Sequence, residues 1–218
     1  MTRFGDEYRV DTVDMIDGTW REKDFSGYDA VFHVAGIAHT KETKANADLY
    51  YKVNRDLAAK TAQKAKVDGA RQFVFLSSMS VYGMETGVIT RETVPNPKNN
   101  YGKSKYQAEI ELQKLAGEDF IVSIVRPPMV YGKGCKGNFQ TLSKWAKKLP
   151  IFPVIKNQRS IIYVDNLSFF VKQIIDGAES SEMYMPQNDE YVCTGDMVKK
   201  IAVLDSHKIT MILFLIGL

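Results

Sequence analysis

The chain has 218 residues, of which 29 are Lys or Arg and 26 are Asp or Glu, so its formal net charge is +3. A charge balance this close to neutral gives no reason to expect nucleic acid or a membrane surface as a partner. Two cysteines, Cys135 and Cys193, make no disulfide framework, and the first residues form no apolar signal segment, so we expect a cytoplasmic protein.

Apolar runs alternate with polar breakers along the chain, and the pattern indicates alternating strands and helices. Strands are predicted at 8–13, 30–35, 72–77 and 121–125, and helices at 45–67, 101–116, 138–149, 165–176 and 195–204. Near-continuous apolar strands between helices are typical of a parallel sheet in an α/β fold. The segment 84–100 is predicted to be a loop over the site, and we hypothesise that it acts as a lid.

Tyr101 and Lys105 stand four residues apart in a predicted helix, so their side chains share one helix face. A free tyrosine has a pKa of about 10, and a nearby cation favours the phenolate, so the pair suits general acid/base chemistry. Ser78 follows an apolar strand and offers a hydroxyl that can hydrogen-bond a substrate oxygen. The alternative is a solvated surface pair, because this Tyr–Lys spacing is common by chance.

Four other residues have simpler interpretations. His33 lies inside an apolar strand and is predicted to be a satisfied core histidine, whereas His39 follows the Ala-Gly turn and is a weaker candidate for contact with cofactor or substrate. Asp165 is predicted to be the N-cap of the helix after it, and Tyr82 to be a packing residue. No spacing of His, Cys, Asp and Glu in the sequence suggests a metal site.

Six sequence motifs occur in one order, and together they resemble the extended short-chain dehydrogenase/reductases. The resemblance is to the NAD-dependent sugar epimerase/dehydratase family, with the closest likeness to its UDP-glucose 4-epimerase group, and it covers roughly residues 8–200. The motifs are VFHVAG (31–36), Asn54, LSSMSVYG (76–83), YGKSK (101–105), IVRPPMVYG (124–132) and RSIIYVDNL (159–167).

The resemblance implies roles for matching positions in this chain. It implies that Tyr101 takes the proton of a sugar 4-hydroxyl, that Ser78 hydrogen-bonds the same oxygen, and that Lys105 lowers the tyrosine pKa and holds the nicotinamide ribose. The cofactor would be NAD and the substrate a nucleotide sugar. The implied cofactor-binding residues are Asp14, Met15, Ala35, Gly36, Asn54, Tyr101 and Lys105, and the implied substrate-binding residues are Ser78, Asn138 and Arg159.

The glycine-rich turn that normally opens a dinucleotide-binding fold is missing from the first 30 residues. Without its backbone N–H groups, NAD affinity should fall greatly. A literal GxGxxG does occur at 132–137, but we interpret it as a decoy, because Pro127 and Pro128 should break the strand before it. Its Lys133 and Lys136 remain possible contacts for a phosphate.

We therefore expect an α/β fold with a Rossmann-like doubly wound parallel sheet that lacks its first β-α-β unit. The expected domains are a partial NAD-binding domain at 1–130 and a partial substrate-binding lobe at 131–218, interleaved with the sheet. The apolar run 208–218 is expected to be a core strand without a partner or an out-of-register ending. Both ends are short relative to the family, so we expect a fragment or a truncated gene product.

The expected activity is 4-epimerisation of a UDP-sugar through a 4-keto intermediate, with hydride transfer to and from NAD. Reduction of a nucleotide 4-keto sugar with NAD(P)H and an inactive fragment of such an enzyme are the alternatives. Dehydratases of the family carry an Asp-Glu pair where this chain has Met79 and Ser80, so dehydration is disfavoured. The resemblance also implies a possible homodimer through the helix that carries Tyr101.

Overall fold

The main sheet is built from four parallel strands in the computed structural model, which describes residues 4–38, 40–135 and 137–213. The strands are β1 (Ala30–His33), β2 (Gln72–Leu76), β3 (Ile121–Val125) and β7 (Met183–Tyr184), and they lie in the order β1-β2-β3-β7. Phe73 in β2 is in register with Val31 of β1 on one side and Val122 of β3 on the other. The predicted parallel α/β sheet is confirmed: β3 has the predicted bounds, and β1 and β2 end two residues and one residue earlier than predicted.

Helices cover both faces of this sheet, as a doubly wound fold requires. The first helical region is continuous from Ala47 to Asp68 but changes type, because a π-helical segment, Tyr51–Leu57, lies between α1 and α2. Gly69 ends it in the left-handed conformation at φ 95°, as its position after the apolar stripe predicts. The α-helices are α1 (Ala47–Tyr50), α2 (Ala58–Asp68), α3 (Asn100–Gln113), α4 (Asn138–Lys148), α5 (Val164–Gly177) and α6 (Thr194–Leu204).

Two hydrophobic cores lie on opposite faces of the sheet because successive residues of β2 point to opposite sides. Phe73 and Phe75 pack into the core beneath α2 and α3. Val74, between them, packs into the core beneath α5. The helix that carries Tyr101 is therefore fixed against the sheet by one complete core layer.

The strand predicted at 8–13 is wrong, because this segment has no strand structure in the described residues. A strand needs a neighbour for its backbone N–H and C=O groups, and β1 pairs with β2 alone among the described strands. Side chains hold the segment instead. The Tyr8 hydroxyl donates to Asp176 on α5, and the Tyr28 hydroxyl donates to Asp11.

A second group of elements forms most of the region after residue 128. Here β4 (Met129–Tyr131) pairs in parallel with β6 (Ile161–Tyr163), and β5 (Ile151–Pro153) pairs with β8 (Thr210–Ile212). The apolar end of the chain therefore has a strand partner, contrary to prediction, as far as it is described; residues 214–218 lie outside the described part. The boundary at residue 130 stays a prediction, although β7 returns to the main sheet from this region.

Most helix ends lie within two residues of the predicted ones, and two differences change the prediction. Helix α3 ends at Gln113, three residues before the predicted end at 116. Helix α5 begins at Val164 after Tyr163, so Asp165 is in its first turn and is not the N-cap. A carboxylate in the first turn still interacts favourably with the helix dipole. Within the described ranges, none of the helices is both long enough and apolar enough to cross a bilayer.

Candidate active site

The candidate site lies at the carboxyl ends of the parallel strands, where open α/β sheets bind their ligands. Ala35 and Gly36 follow β1, and Ser78 follows β2. Helix α3 begins close to the same edge and carries Tyr101 and Lys105 in its first two turns. The topology thus brings together residues that are up to 70 positions apart in the sequence.

The backbone on either side of Ser78 is tied to the end of β3. Ser77 N donates to Val125 O at 2.7 Å, and Met79 N donates to Pro127 O at 3.2 Å. The Ser78 hydroxyl accepts a hydrogen bond from Ser80 N at 3.1 Å, which caps the short 3-10 helix Met79–Tyr82. These bonds fix the position of Ser78 at the end of β2.

Burial raises the pKa of Tyr101 above its usual value, and a hydrogen bond from the Ser78 side chain opposes that rise. Desolvation is the larger effect in this structure, and the lowering of the tyrosine pKa by Lys105 stays a prediction. In this state Tyr101 is a neutral phenol at neutral pH, and the role of Ser78 beside it stays a prediction.

Lys105 is almost completely buried, with 4% of its surface exposed. Its Nζ donates to Leu76 O at 2.8 Å and lies 4.6 Å from the centroid of the Phe75 ring. Burial lowers the pKa of Lys105 to about 8, and the carboxylate of Glu109 opposes that change. The surface-pair alternative is therefore excluded for this lysine, which is a core residue at the strand end.

Gly102 allows helix α3 to approach the turn that carries Ser78. A Cβ atom at this position would lie 2.5 Å from Ser80 O and 3.1 Å from Pro97 Cβ. Asn99 caps the helix at this point by accepting a hydrogen bond from Gly102 N at 2.8 Å. The sequence analysis missed Gly102, although its place directly after Tyr101 was visible in the motif.

Asn54 is fully buried in the π-helical segment and holds the loop after β1. Its Oδ1 accepts from Ile37 N at 2.8 Å, and its Nδ2 donates to Ile37 O at 3.1 Å and to Ser104 Oγ at 3.0 Å. A Cβ atom at Gly36 would lie 2.9 Å from Asn54 Oδ1 and 3.3 Å from Lys105 Nζ. Gly36, Asn54 and Lys105 therefore meet, and glycine is the residue that permits this approach.

The other predicted ligand-binding residues show no contact with this cluster in the structure. Asp14 is exposed and accepts a hydrogen bond from Ile16 N at 2.9 Å within its own turn, and Met15 beside it is half-buried. Asn138 is exposed at the start of α4, and Arg159 is exposed and pairs with Val192 through its backbone. Their roles stay predictions.

The glycine loop at 132–137 requires one correction. A strand does precede it, because the chain resumes as β4 after Pro128 and ends directly before Gly132. However, β4 pairs with β6 outside the main sheet, so the loop does not follow a strand of that sheet. The interpretation of the GxGxxG segment as a decoy stays a prediction, and its reason is now that the segment does not follow a strand of the main sheet. Lys136 lies outside the described residues.

His33 is buried in the core beneath α3 and stacks on Phe73 and Phe75 at ring-centroid distances of 5.7 and 6.1 Å. The prediction of a core histidine is confirmed, but the prediction that it is satisfied is wrong, because its Nε2 has no hydrogen-bond partner among the described residues. Burial lowers the pKa of His33 to about 3, with the positive charge of Lys105 as a second cause. His39 lies outside the described residues.

Tyr82 is buried, as expected of a packing residue. The backbone at the start of the following loop lies close to the backbone near its end, because a Cβ atom at Gly83 would overlap Asn96 O.

The segment 84–99 contains no regular element, so the predicted loop at 84–100 is confirmed as far as Asn99. Its action as a lid stays a hypothesis. Within the described ranges, no group of three or more His, Cys, Asp or Glu side chains is placed to hold a metal ion.

The donor set around Lys105 fits one end of a dinucleotide cofactor. Among the described residues its ammonium donates one hydrogen bond, to Leu76 O, so two N–H donors can serve ligand hydroxyls such as those of a ribose. Gly36 lies beside this ammonium and offers no side chain that would block a ligand. The cluster of Gly36, Tyr101 and Lys105 therefore fits the nicotinamide end of NAD. The described residues offer no matching glycine turn at a strand end of the main sheet for the pyrophosphate.

A Rossmann-like sheet with a Ser, Tyr and Lys cluster at its carboxyl edge defines a class of cofactor-dependent enzymes, and sequence comparison identifies the family. The family model for the NAD dependent epimerase/dehydratase family matches residues 2–185. The chain belongs to this family, whose cofactor is NAD.

Curated relatives include several 4-epimerases. The chain is 32% identical to a UDP-glucose 4-epimerase of Vibrio cholerae over 79% of this chain and 56% of the relative. It is 29% identical to the N-acetyl-alpha-D-glucosaminyl-diphospho-ditrans,octacis-undecaprenol 4-epimerase of Escherichia coli O157:H7 over 73% of this chain and 49% of the relative. The chain thus spans about half the length of these relatives.

Solved structures with low sequence identity share the fold. A UDP-glucuronic acid 4-epimerase from Bacillus cereus in complex with NAD matches with a TM-score of 0.77 at 18% identity, covering 89% of this chain and 66% of the other. RMD from Pseudomonas aeruginosa complexed with NADPH matches with a TM-score of 0.74 at 20% identity, covering 85% and 69%. These similarities support the Rossmann-like fold.

Proposed function

We propose that this chain carries the acid/base half of a nucleotide-sugar 4-epimerase site, with UDP-sugars as the substrate class. The observation that carries the proposal is the buried Lys105, which lies one helical turn after Tyr101 on α3 and binds the strand end that leads into Ser78. The 4-epimerases among the curated relatives support the same reaction class. Because the chain spans about half of those relatives, the activity of the whole protein is part of the proposal.

In the proposed reaction, the Tyr101 Oη atom takes the proton of the sugar 4-hydroxyl and later returns it. The Ser78 hydroxyl hydrogen-bonds the same sugar oxygen, which holds it within reach of Tyr101. When bound, NAD would supply the hydride chemistry at C4: loss of a hydride there would give a 4-keto sugar, and return of the hydride to the opposite face would invert that carbon. One proton and one hydride leave and return, and the net change is inversion at C4.

Tyr101 must lose its proton to act as the base, and burial opposes that loss in the present structure. We infer that the ammonium of Lys105 favours the phenolate once the ligands are in place, because a cation stabilises the charged form. Arg159 and Asn138 are proposed to bind the substrate diphosphate, since a guanidinium matches the geometry of phosphate oxygens. Asp14 and Met15 are proposed to contact the adenine. A homodimer stays a proposal without a structural argument.

The experiment that tests the proposal is calorimetric titration of NAD into the purified chain, with Tyr101→Phe as the matched control. We expect equal affinities for the two proteins, because Phe retains the ring and removes only the hydroxyl, and weaker binding than a dinucleotide fold with its glycine turn would give. Interconversion of UDP-glucose and UDP-galactose should then occur with the unsubstituted chain and be lost in the variant. Failure to bind millimolar NAD, in a chain shown by circular dichroism to be folded, would mean that this polypeptide is an inactive piece of such an enzyme.

Reduction of a nucleotide 4-keto sugar is the second candidate, and similar structures include reductases. A dTDP-4-dehydrorhamnose reductase from Bacillus anthracis in complex with NADP matches with a TM-score of 0.71 at 23% identity, covering 85% of this chain and 65% of the other. The two candidates differ in their use of cofactor. A reductase consumes NAD(P)H in proportion to the keto sugar supplied, whereas an epimerase shows no net consumption.

A further inference from the structure

A buried ionic cluster lies directly behind the Ser, Tyr and Lys site. Glu109 is in α3, four residues after Lys105, and 1% of its surface is exposed. Its carboxylate accepts two hydrogen bonds from Arg126, from Nε at 3.0 Å and from Nη2 at 2.5 Å. The Ser77 hydroxyl also donates to this carboxylate. Arg126 directly follows β3, and its Nη1 donates to the Tyr82 hydroxyl at 2.6 Å.

This cluster and Lys105 hold successive residues at the end of β2. Lys105 Nζ binds the carbonyl of Leu76, and Glu109 binds the side chain of Ser77. The next residue along the chain is Ser78, whose side chain lowers the pKa of Tyr101 against the effect of burial. Two residues one turn apart on α3 therefore fix the strand end that carries the third member of the site.

Stability alone does not explain the cluster. Removing two charges from water costs several kcal/mol per ion, and well-packed apolar side chains often replace a buried ion pair without loss of stability. The two-pronged geometry of Arg126 on Glu109 instead specifies a single orientation of the carboxylate. Apolar side chains could fill the same space, but they would not place a negative charge beside the site.

Two titratable groups act on or face Lys105 from the elements packed around it. Glu109 lies on its own helix, and the imidazole of His33 faces it from β1. His33 is neutral, because burial holds its pKa at about 3. Arg126, from the end of β3, forms the ion pair with Glu109, and the Glu109 charge acts on Lys105 from one helical turn away. Glu109 is consequently the negative group that compensates the buried ammonium.

We propose that Glu109 is a positioning residue for this site: its carboxylate maintains the positive charge on Lys105 and fixes the strand end that presents Ser78 to Tyr101. The inference deepens the proposed function, since it rests on an acid/base role for Tyr101 and Lys105. Its test needs neither cofactor nor substrate, so failure of the inference and failure of the proposed function can be distinguished.

The test is to follow the titration of Lys105 by NMR of a lysine-labelled chain, with the signal assigned by its loss in Lys105→Met. Glu109→Gln keeps a side-chain oxygen for Ser77 and removes the charge. We expect the Lys105 titration to move to lower pH by about one unit or more, as loss of a nearby opposite charge requires. Glu111→Gln is the matched control, because Glu111 is on the same helix and forms an exposed pair with Lys114.

Arg126→Gln should shift the titration of Lys105 in the opposite direction. It removes the cation that competes for Glu109, so the Lys105 titration should move to higher pH. If Glu109 and Arg126 had only a structural role, both variants would be less stable. The pH at which Lys105 titrates would then not move down in one variant and up in the other. If one variant does not fold, the titration of Lys105 in the other variant still tests the proposal. The proposal is overturned if a folded Glu109→Gln or Arg126→Gln chain titrates Lys105 at the same pH as the Glu111→Gln control.

Discussion

Asn54 Nδ2 donates to Ser104 Oγ at 3.0 Å, and this bond joins the π-helical segment to the first turns of α3. Ser104 Oγ in turn donates to Tyr101 O at 2.9 Å. A π-helical segment inside a helix is an irregularity that often occurs at functional sites. Here it places Asn54 so that one buried amide connects the loop after β1 with the turn that carries Tyr101.

Replacing Asn54 with Ala should strongly destabilise the fold. The change leaves Ile37 N and Ile37 O without their side-chain partner, and each unsatisfied buried group costs roughly 1–3 kcal/mol. Ser104→Ala removes only one of the three bonds of Asn54 and should cost about 1 kcal/mol. Urea unfolding of both variants measures the difference. Equal losses in the two variants would contradict the central role of Asn54.

The parallel sheet and the core of the site were predictable from local patterns. The apolar run at β2 and the four-residue spacing of Tyr101 and Lys105 depend on a few neighbouring residues, so the sequence carries them directly. The helix between Ala47 and Asp68 was also predicted, but its π-helical segment was not, because the periodicity that marks a helix does not reveal one extra residue in a turn.

The failures share a physical cause, which is dependence on distant partners. The segment 8–13 has the apolar pattern of a strand, yet strand structure depends on a neighbouring chain that the pattern does not report. The pKa of Tyr101 likewise depends on burial by residues from other elements, which a local pattern does not report. The sequence motifs gave no prediction for Glu109, because its partner, Arg126, is 17 positions away.

Gly102→Ala should separate α3 from the turn that carries Ser78. The new Cβ atom would lie 2.5 Å from a backbone oxygen, Ser80 O, which cannot rotate away as a flexible side chain does. We expect a loss of about 1–3 kcal/mol from overpacking and a weaker contact between Ser78 and Tyr101. Gly117→Ala is the control, since nothing lies within 4 Å of a Cβ atom there. The argument fails if the two variants unfold at the same urea concentration.

Lys105→Met should change how stability depends on pH. The pKa of Lys105 is about 8 in the folded chain and 10.5 in the reference state, so the unfolded chain binds more protons between these values. Stability of the unsubstituted chain should therefore rise with pH across this window, and below it the buried charge costs roughly 3 kcal/mol. The variant should lack that rise.

Urea unfolding at several pH values from about 7 to 10 measures this effect. Lys103→Met is the matched control, because Lys103 is exposed on the same helix. The difference in unfolding free energy between the Lys105→Met chain and the control should shrink as pH rises. A difference that is constant over the whole range would show that Lys105 is not titrating near pH 8 in the folded state.

His33→Phe should make the chain less sensitive to mild acid. The folded pKa of His33 is about 3, against 6.5 in the reference state, so the unfolded chain takes up a proton as pH falls below 6.5 and the folded chain does not. Between about pH 7 and pH 5 this linkage should cost the unsubstituted chain about 2 kcal/mol. Phenylalanine removes the titration and keeps a ring stacked on Phe73 and Phe75.

The comparison is made on the slope of unfolding free energy against pH, because the slope separates the proton linkage from any change in packing. His207→Phe is a suitable control, since His207 is only partly buried and bonds Leu149 O. The variant at position 33 should also lose the penalty of the unpaired Nε2, which adds stability at neutral pH. If both variants keep the slope of the unsubstituted chain, then His33 is not the group that resists protonation, and a buried neutral imidazole beside Lys105 is ruled out.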